Sequence, residues 1–111
     1  MVEYVPSRGH FILINFNPQA GHEQKGKRPA LVVSQTIFNQ HRGFVFVCPI
    51  SNTKRQNPFY ISIPDGEVVT GVIMTDQLRS LDYNARKAEF LGECPEVLMV
   101  KVLQRIKRIL F

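Results

Sequence analysis

The sequence contains few cysteines and no long apolar run. Cys48 and Cys94 lie far apart, with no Cys-X-X-Cys pair and no histidine at ligand spacing, so no zinc site is predicted. Their apolar surroundings favour two buried thiols over a disulfide or a nucleophile, and indicate a reducing compartment. No segment approaches the length of a membrane span, and the start of the chain lacks the basic and apolar regions of a signal peptide. We therefore expect a cytoplasmic protein without membrane contact.

Repeats, low-complexity tracts and interdomain linkers are also missing from the 111 residues. With 44% hydrophobic and 21% charged residues, the composition argues against disorder. A chain of this length has room for one core, so we expect a single domain over residues 1–111. Acidic residues are fewer than basic ones: the chain has 9 Asp and Glu but 14 Lys and Arg, which gives a formal net charge of +5. This excess modestly favours a polyanionic partner.

Short strand patterns separated by turn signals fill most of the chain. They lie at residues 10–16, 28–34, 43–50, 58–64, 68–76 and 86–92, with a helical turn near 36–40. From Pro95 onward, apolar residues recur on one helical stripe with cations opposite, which predicts an amphipathic C-terminal helix. We therefore predict a mainly β fold with a C-terminal α-helix, a small antiparallel barrel of the SH3 or OB kind.

A polar segment, residues 17–27, joins the first two predicted strands. It is longer than most hairpin connections, and long ordered loops in small domains are commonly functional. The segment contains His22 and Glu23, which are candidates for acid–base or base-edge contacts. Lys25 and Lys27 are suited to holding a phosphodiester. A solvated loop without a ligand explains the same composition equally well.

Arg28 follows this segment at the start of a predicted strand. Its planar guanidinium donates two parallel hydrogen bonds, and an Arg fixed on a strand is easier to aim at a developing oxyanion than a lysine in a loop.

Polar residues close two further strands. Ser51, Asn52 and Thr53 offer hydroxyls and an amide to a phosphate, although turn formation alone explains them better. The group Asp76, Gln77 and Arg79 is suited to reading base edges and a phosphate, or equally to a surface ion pair and a helix cap. For the remaining histidines, His10 and His41, packing or solvation is favoured over catalysis.

Many of these candidate residues lie in three motifs that follow one another in a recognisable order along the chain. The block Gly-X-Glu-Gln-X-Gly-X-Arg-Pro at 21–29, Pro-Ile-Ser at 49–51 and Asp-Gln-X-Arg at 76–79 together resemble the MazF/PemK family of toxin endoribonucleases, in its PemK/ChpB-like branch. The resemblance implies an SH3-like barrel of the plasmid-maintenance-toxin type shared by CcdB, Kid and MazF. It also implies sequence-specific cleavage of single-stranded mRNA to 2′,3′-cyclic phosphate and 5′-OH ends, without a metal or other cofactor, which inhibits translation and growth.

Partners follow from the same resemblance. It implies a homodimer silenced by a cognate acidic antitoxin of the MazE/PemI type, and a toxin–antitoxin complex that reaches operator DNA through the antitoxin.

Residue roles also follow from the resemblance. It implies that Arg28 and Ser51 are the catalytic pair, with Ser51 standing where the family commonly has Thr. Some plasmid-borne relatives use an Arg two residues before the Asp, and Met74 occupies that place here. His22 and Asp76 are therefore the secondary catalytic candidates. The expected RNA-binding residues are Glu23, Gln24, Lys25, Lys27, Asn52, Thr53, Gln77, Arg79 and Arg86.

Two other functions fit the same patterns. One is a non-catalytic barrel that binds nucleic acid, and the other is a gyrase-poisoning toxin of related fold. The Arg-Pro and Pro-Ile-Ser motifs together favour the ribonuclease over both.

Overall fold

Seven strands and two helices make up residues 3–16 and 26–111, the part of the chain that the computed structural model describes. The strands are β1 (His10–Asn15), β2 (Lys27–Val32), β3 (Phe44–Ser51), β4 (Tyr60–Ser62), β5 (Val72–Met74), β6 (Arg79–Asp82) and β7 (Glu89–Glu93). The helices are α1 (Thr36–Arg42) and α2 (Glu96–Leu110), and a 3₁₀ turn, Thr75–Gln77, joins β5 to β6.

All the described strand pairs are antiparallel. Neighbouring strands follow the order β4-β5-β3-β2-β1-β7, and β6 pairs with β3 outside this order. The strand β3 is the centre of the arrangement, because β2 pairs with one of its edges while β6 and then β5 pair with the other. The prediction of a mainly β fold with a C-terminal helix is confirmed.

The hydrophobic core consists of two clusters, one on each face of the central strands. Successive residues of a strand point to opposite faces, so Leu31 enters one cluster while Ala30 and Val32 enter the other. The first cluster lies under α2, which contributes Leu98, Met99 and Val102. The second contains Ile12, Ile14, Phe16, Ala30, Val32, Val45, Val47, Leu81 and Tyr83.

The helix α2 packs on its apolar stripe through most of its length. Val102 is fully buried, and Leu103 and Ile106 are partly buried against the first cluster. The apolar stripe is not buried at its C-terminal end, where Ile109 is 39% and Leu110 55% exposed. No helix in residues 3–16 and 26–111 is long and apolar enough to cross a bilayer.

Other boundaries also differ from the sequence prediction. The strand predicted over residues 68–76 shortens to β5, since Gly71 has φ of +119° and the backbone enters the 3₁₀ turn after Met74. The strand β6 was not predicted, because its single buried residue, Leu81, gives no recognisable alternation. The helical turn predicted near 36–40 extends to Arg42 as α1 and so includes His41.

Candidate active site

The register of β2 and β3 brings Arg28 and Ser51 to one place. Ala30 pairs with Pro49 and Val32 with Val47, and Arg28 and Ser51 each lie two residues beyond the pair of Ala30 and Pro49, toward the same end of the sheet. By the same alternation, both side chains lie on the face of the second core cluster, at its exposed end.

The hydroxyl of Ser51 is oriented by a local turn. Its Oγ accepts a hydrogen bond from the backbone N–H of Thr53 at 3.1 Å, and Asn52 Oδ1 accepts one from the Thr70 hydroxyl at 3.2 Å. These local hydrogen bonds are consistent with the structural role predicted for these residues. A hydroxyl that accepts from an N–H retains its own hydrogen for donation, so the turn leaves Ser51 able to donate to a ligand.

Gly71 contacts the backbone of Ser51 from the neighbouring strand edge. Ser51 pairs with Val72, and a Cβ added to Gly71 would lie 2.4 Å from the Ser51 carbonyl oxygen. No side chain fits in that space. Glycine inside a strand pattern signals either a β-bulge or a close backbone approach, and the contact with Ser51 is a close approach.

Arg79 lies on the same face as Arg28 and Ser51. It pairs with Val47 of β3, and its guanidinium carbon is 5.3 Å from the centroid of the Phe16 ring. A guanidinium over an aromatic ring is stabilised by the quadrupole of the ring, typically by about 0.5–1 kcal/mol at exposed sites. The arrangement therefore holds a second planar cation near the end of the sheet where Arg28 and Ser51 lie.

Asp76 and Gln77 are exposed in the 3₁₀ turn that directly follows β5, so they lie after the strand that they were predicted to close. Met74, which stands where some relatives have an Arg, is 8% exposed and has no charged group. Burial, with a smaller contribution from the Asp76 carboxylate, raises the pKa of the Cys48 thiol to about 12. This thiol stays protonated near neutral pH and is a poor nucleophile.

Two of the predicted RNA-binding cations have partners within the fold. Lys27 forms an ion pair with Glu89 of β7, and Arg86 donates to the backbone carbonyl of Asn15 at 3.0 Å. Both contacts fix the strands that flank residues 17–25. The predicted site residues His22, Glu23, Gln24 and Lys25 lie outside the described residues.

The two remaining histidine predictions concern residues away from this end of the sheet. His10 packs between the rings of Tyr4 and Phe90, with ring centroids 5.8 and 4.8 Å away. His41 is exposed on α1. Packing and solvation are thus confirmed for this pair.

Residues 7–110 match the family described as PemK-like, MazF-like toxin of type II toxin-antitoxin system. The chain is 38% identical over 107 residues to the endoribonuclease PemK of Escherichia coli, covering 93% of this chain and 80% of the relative. It is 35% identical over 98 residues to the endoribonuclease toxin MazF of Escherichia coli strain K12, covering 87% of each chain.

Solved structures show the same fold. The MazF crystal structure (Form-I) from Deinococcus radiodurans superposes with a TM-score of 0.88 at 41% identity, covering 97% of this chain and 98% of that one. A MazE-MazF crystal structure (Form-II) from the same organism gives a TM-score of 0.85 at 34% identity, covering 97% of both chains.

Proposed function

Because the chain belongs to the PemK-like, MazF-like toxins of type II toxin–antitoxin systems, we propose that it is an endoribonuclease toxin that cuts single-stranded mRNA at specific sequences. The observation that supports this proposal is the register of β2 and β3, which directs a guanidinium, Arg28, and a hydroxyl, Ser51, toward the same end of the sheet. Both are charge-stabilising donors at an exposed end of a rigid sheet, where an RNA phosphate has access.

The reaction needs little from the protein, because RNA carries its own nucleophile. The 2′-oxygen attacks the adjacent phosphorus and the bond from phosphorus to the 5′-oxygen breaks, which yields a 2′,3′-cyclic phosphate and a 5′-OH. The proton of the 2′-OH passes to a base, and the departing 5′-oxygen takes up a proton. A fixed donor pair stabilises the charge that develops on the phosphoryl oxygens; no metal or cofactor enters the scheme.

In this scheme Arg28 stabilises the phosphoryl charge and Ser51 donates its hydroxyl hydrogen to the phosphate. His22 and Asp76 are the secondary candidates for proton transfer. Base recognition falls to Glu23, Gln24 and Gln77. Phosphate and base contacts around them are proposed for Lys25, Lys27, Asn52, Thr53, Arg79 and Arg86.

The proposed partners are those of a type II toxin. A related solved structure from Deinococcus radiodurans contains MazE together with MazF, and we propose that an acidic MazE/PemI-like antitoxin silences this chain. The net charge of +5 complements such a partner. We further propose one toxin domain over residues 1–111, a homodimer, a toxin–antitoxin complex on operator DNA through the antitoxin, and action in the cytoplasm, where mRNA is translated.

The proposal is tested by incubating the purified protein with a long unstructured RNA in EDTA and mapping the ends by primer extension. Wild-type protein is expected to cut at defined sequences, leaving cyclic phosphate and 5′-OH ends. Arg28→Ala is expected to lose roughly a hundredfold or more in rate, as when one oxyanion donor is removed. Arg28→Lys keeps the charge without the fork, and we expect it to remain impaired.

Three results would contradict the proposal. Products with 3′-OH and 5′-phosphate ends exclude the cyclisation chemistry. Intact RNA with retained binding indicates a non-catalytic binding barrel. Intact RNA without binding favours the gyrase-poisoning toxin, which DNA-cleavage assays with purified gyrase would then test.

A further inference from the structure

A basic groove separates the outer strand β4 from α2, beside the first core cluster. Its volume is about 450 Å³, and its polar lining comprises Tyr60, Ser62, Lys101, Gln104, Arg105 and Arg108. Among the described residues that line it, three are cations and none is acidic. A groove lined by one sign of charge concentrates ligands of the opposite sign, so its ligand is an anion.

The cations follow one stripe of α2. Lys101, Arg105 and Arg108 are spaced at i, i+4 and i+7, which places them on one helical face over roughly 10 Å. Lys101 and Arg108 are exposed. This stripe presents a row of charges, which suits a polyanion chain better than a single small anion.

The groove continues toward the candidate active site. A second groove of about 420 Å³ shares Tyr60 and Ser62 with the first, and Arg55 and Val72 line its other parts. Val72 is the register partner of Ser51 on β3. The two grooves therefore connect the strand edge beside Ser51 with the cations of α2, across the outer strand of the sheet.

We propose that the groove between β4 and α2 binds phosphates of the RNA strand that flanks the cut, several nucleotides from the scissile bond. This inference rests on the proposed ribonuclease function, and it extends the substrate contact beyond the catalytic end of the sheet. Binding at the groove is sequence-independent, because its cations meet the backbone and not the base edges. Longer RNAs therefore bind more tightly than RNAs confined to the catalytic end.

The test compares two double variants of equal composition. Lys101→Gln with Arg108→Gln removes two groove cations, whereas Lys107→Gln with Arg42→Gln removes an exposed Lys and an exposed Arg that do not line the groove. Binding is measured by fluorescence anisotropy with a fluorescein-labelled 2′-O-methyl oligouridylate of roughly 24 nucleotides, longer than a usual single-strand site. A probe of about six nucleotides serves as the short reference. These probes lack a 2′-OH and are not cut, so binding is measured independently of catalysis.

The groove variant is expected to lose roughly tenfold in affinity for the long probe in 0.1 M salt, with a much smaller loss for the short one. The slope of log affinity against log salt is expected to fall by about 1.4, or about 0.7 for each lost contact. The control variant is expected to match the wild type more closely on both measures.

Equal behaviour of the two variants would overturn the inference. So would unchanged RNA binding combined with loss of inhibition by the cognate antitoxin, because the groove would then belong to an acidic polypeptide. Failure of the ribonuclease proposal is recognised separately, as intact RNA in the cleavage assay with wild-type protein.

Discussion

The position of Ser51 depends on a residue twenty positions further along the chain. Gly71 combines a φ of +119° with a backbone approach to Ser51 that admits no Cβ. A side chain at position 71 would therefore destabilise the fold in two ways: it would strain the backbone at a positive φ, and it would displace the Ser51 carbonyl.

Gly71→Ala is expected to reduce the rate of RNA cleavage at saturating substrate by roughly tenfold or more, since small displacements of a positioned group are costly. Gly66→Ala is the matched control, because Gly66 has φ of +95° but open space around its missing Cβ. We expect both variants to lose stability in urea unfolding, by about 1–3 kcal/mol, while only Gly71→Ala loses kcat. Equal kcat in the two folded variants would show that Gly71 does not position Ser51.

Individual site residues were predictable from the sequence where a motif contains them. Arg28 and Ser51 stand in the Arg-Pro and Pro-Ile-Ser motifs. The close contact of Gly71 was not predictable, because it depends on the pairing of β3 with β5. The stacking of Arg79 on Phe16 depends in the same way on a strand, β6, that has too little alternation to be recognised.

Among the elements, α1 is fixed by a buried amide. Asn39 is fully buried, and its Nδ2 donates to the carbonyl of Pro6 at 2.7 Å. Its backbone carbonyl accepts from the Tyr83 hydroxyl at 3.0 Å. The Asn39 side chain also hydrogen-bonds Ser34, so it joins the N-terminal segment, the segment after β2 and the helix.

Asn39→Ala is expected to lower the free energy of unfolding by about 2–4 kcal/mol, because it leaves buried polar groups unpaired and opens a cavity. Gln40→Ala, at the exposed neighbouring position, is expected to change it by less than about 0.5 kcal/mol. Urea denaturation of both variants measures the difference. A loss below about 1 kcal/mol for Asn39→Ala would show that the network contributes little.

The start of β1 is sensitive to pH through His10. Its Nδ1 lies 2.7 Å from the Tyr4 hydroxyl and accepts the backbone N–H of Ser7 at 3.2 Å. Burial lowers the pKa of His10 below 6.5, against the opposing effect of Glu93. A lowered histidine pKa means that the folded state prefers the neutral ring, so this contribution is present above pH 6.5 and is lost as the pH falls below it.

We therefore expect the free energy of unfolding to fall between about pH 7.5 and about pH 5. His10→Gln is expected to flatten this dependence, while His41→Gln, at an exposed position, leaves it unchanged. Urea unfolding across the range measures both. A pH dependence that survives intact in His10→Gln would assign the effect to other groups.

Elements were predictable in proportion to the strength of their own apolar patterns. The apolar runs of β1 and β3 and the helical stripe of α2 located these elements to within a few residues. The short strands β5 and β6 have too few residues for a pattern, and they form because the central strand offers its edge to both. Tertiary pairing, not local propensity, decides their ends.

At the scale of the whole molecule, the fold brings the two main catalytic candidates toward one end of the sheet. Arg28 and Ser51 are far apart in sequence and belong to different strands. The sequence motifs identify both residues as candidates, but the register of β2 with β3 directs them toward one end of the sheet. If they act on one phosphate, their contributions to catalysis are coupled.

The most direct test of this claim is a double-mutant cycle on RNA cleavage. Single-turnover rates are measured for wild type, Arg28→Ala, Ser51→Ala and the double variant on one RNA cut at a mapped position, with circular dichroism to verify folding. We predict that the double variant is little slower than the more damaged single variant, because the two groups act as a unit. Losses that simply multiply, or either single variant cutting at the wild-type rate, would contradict a shared site.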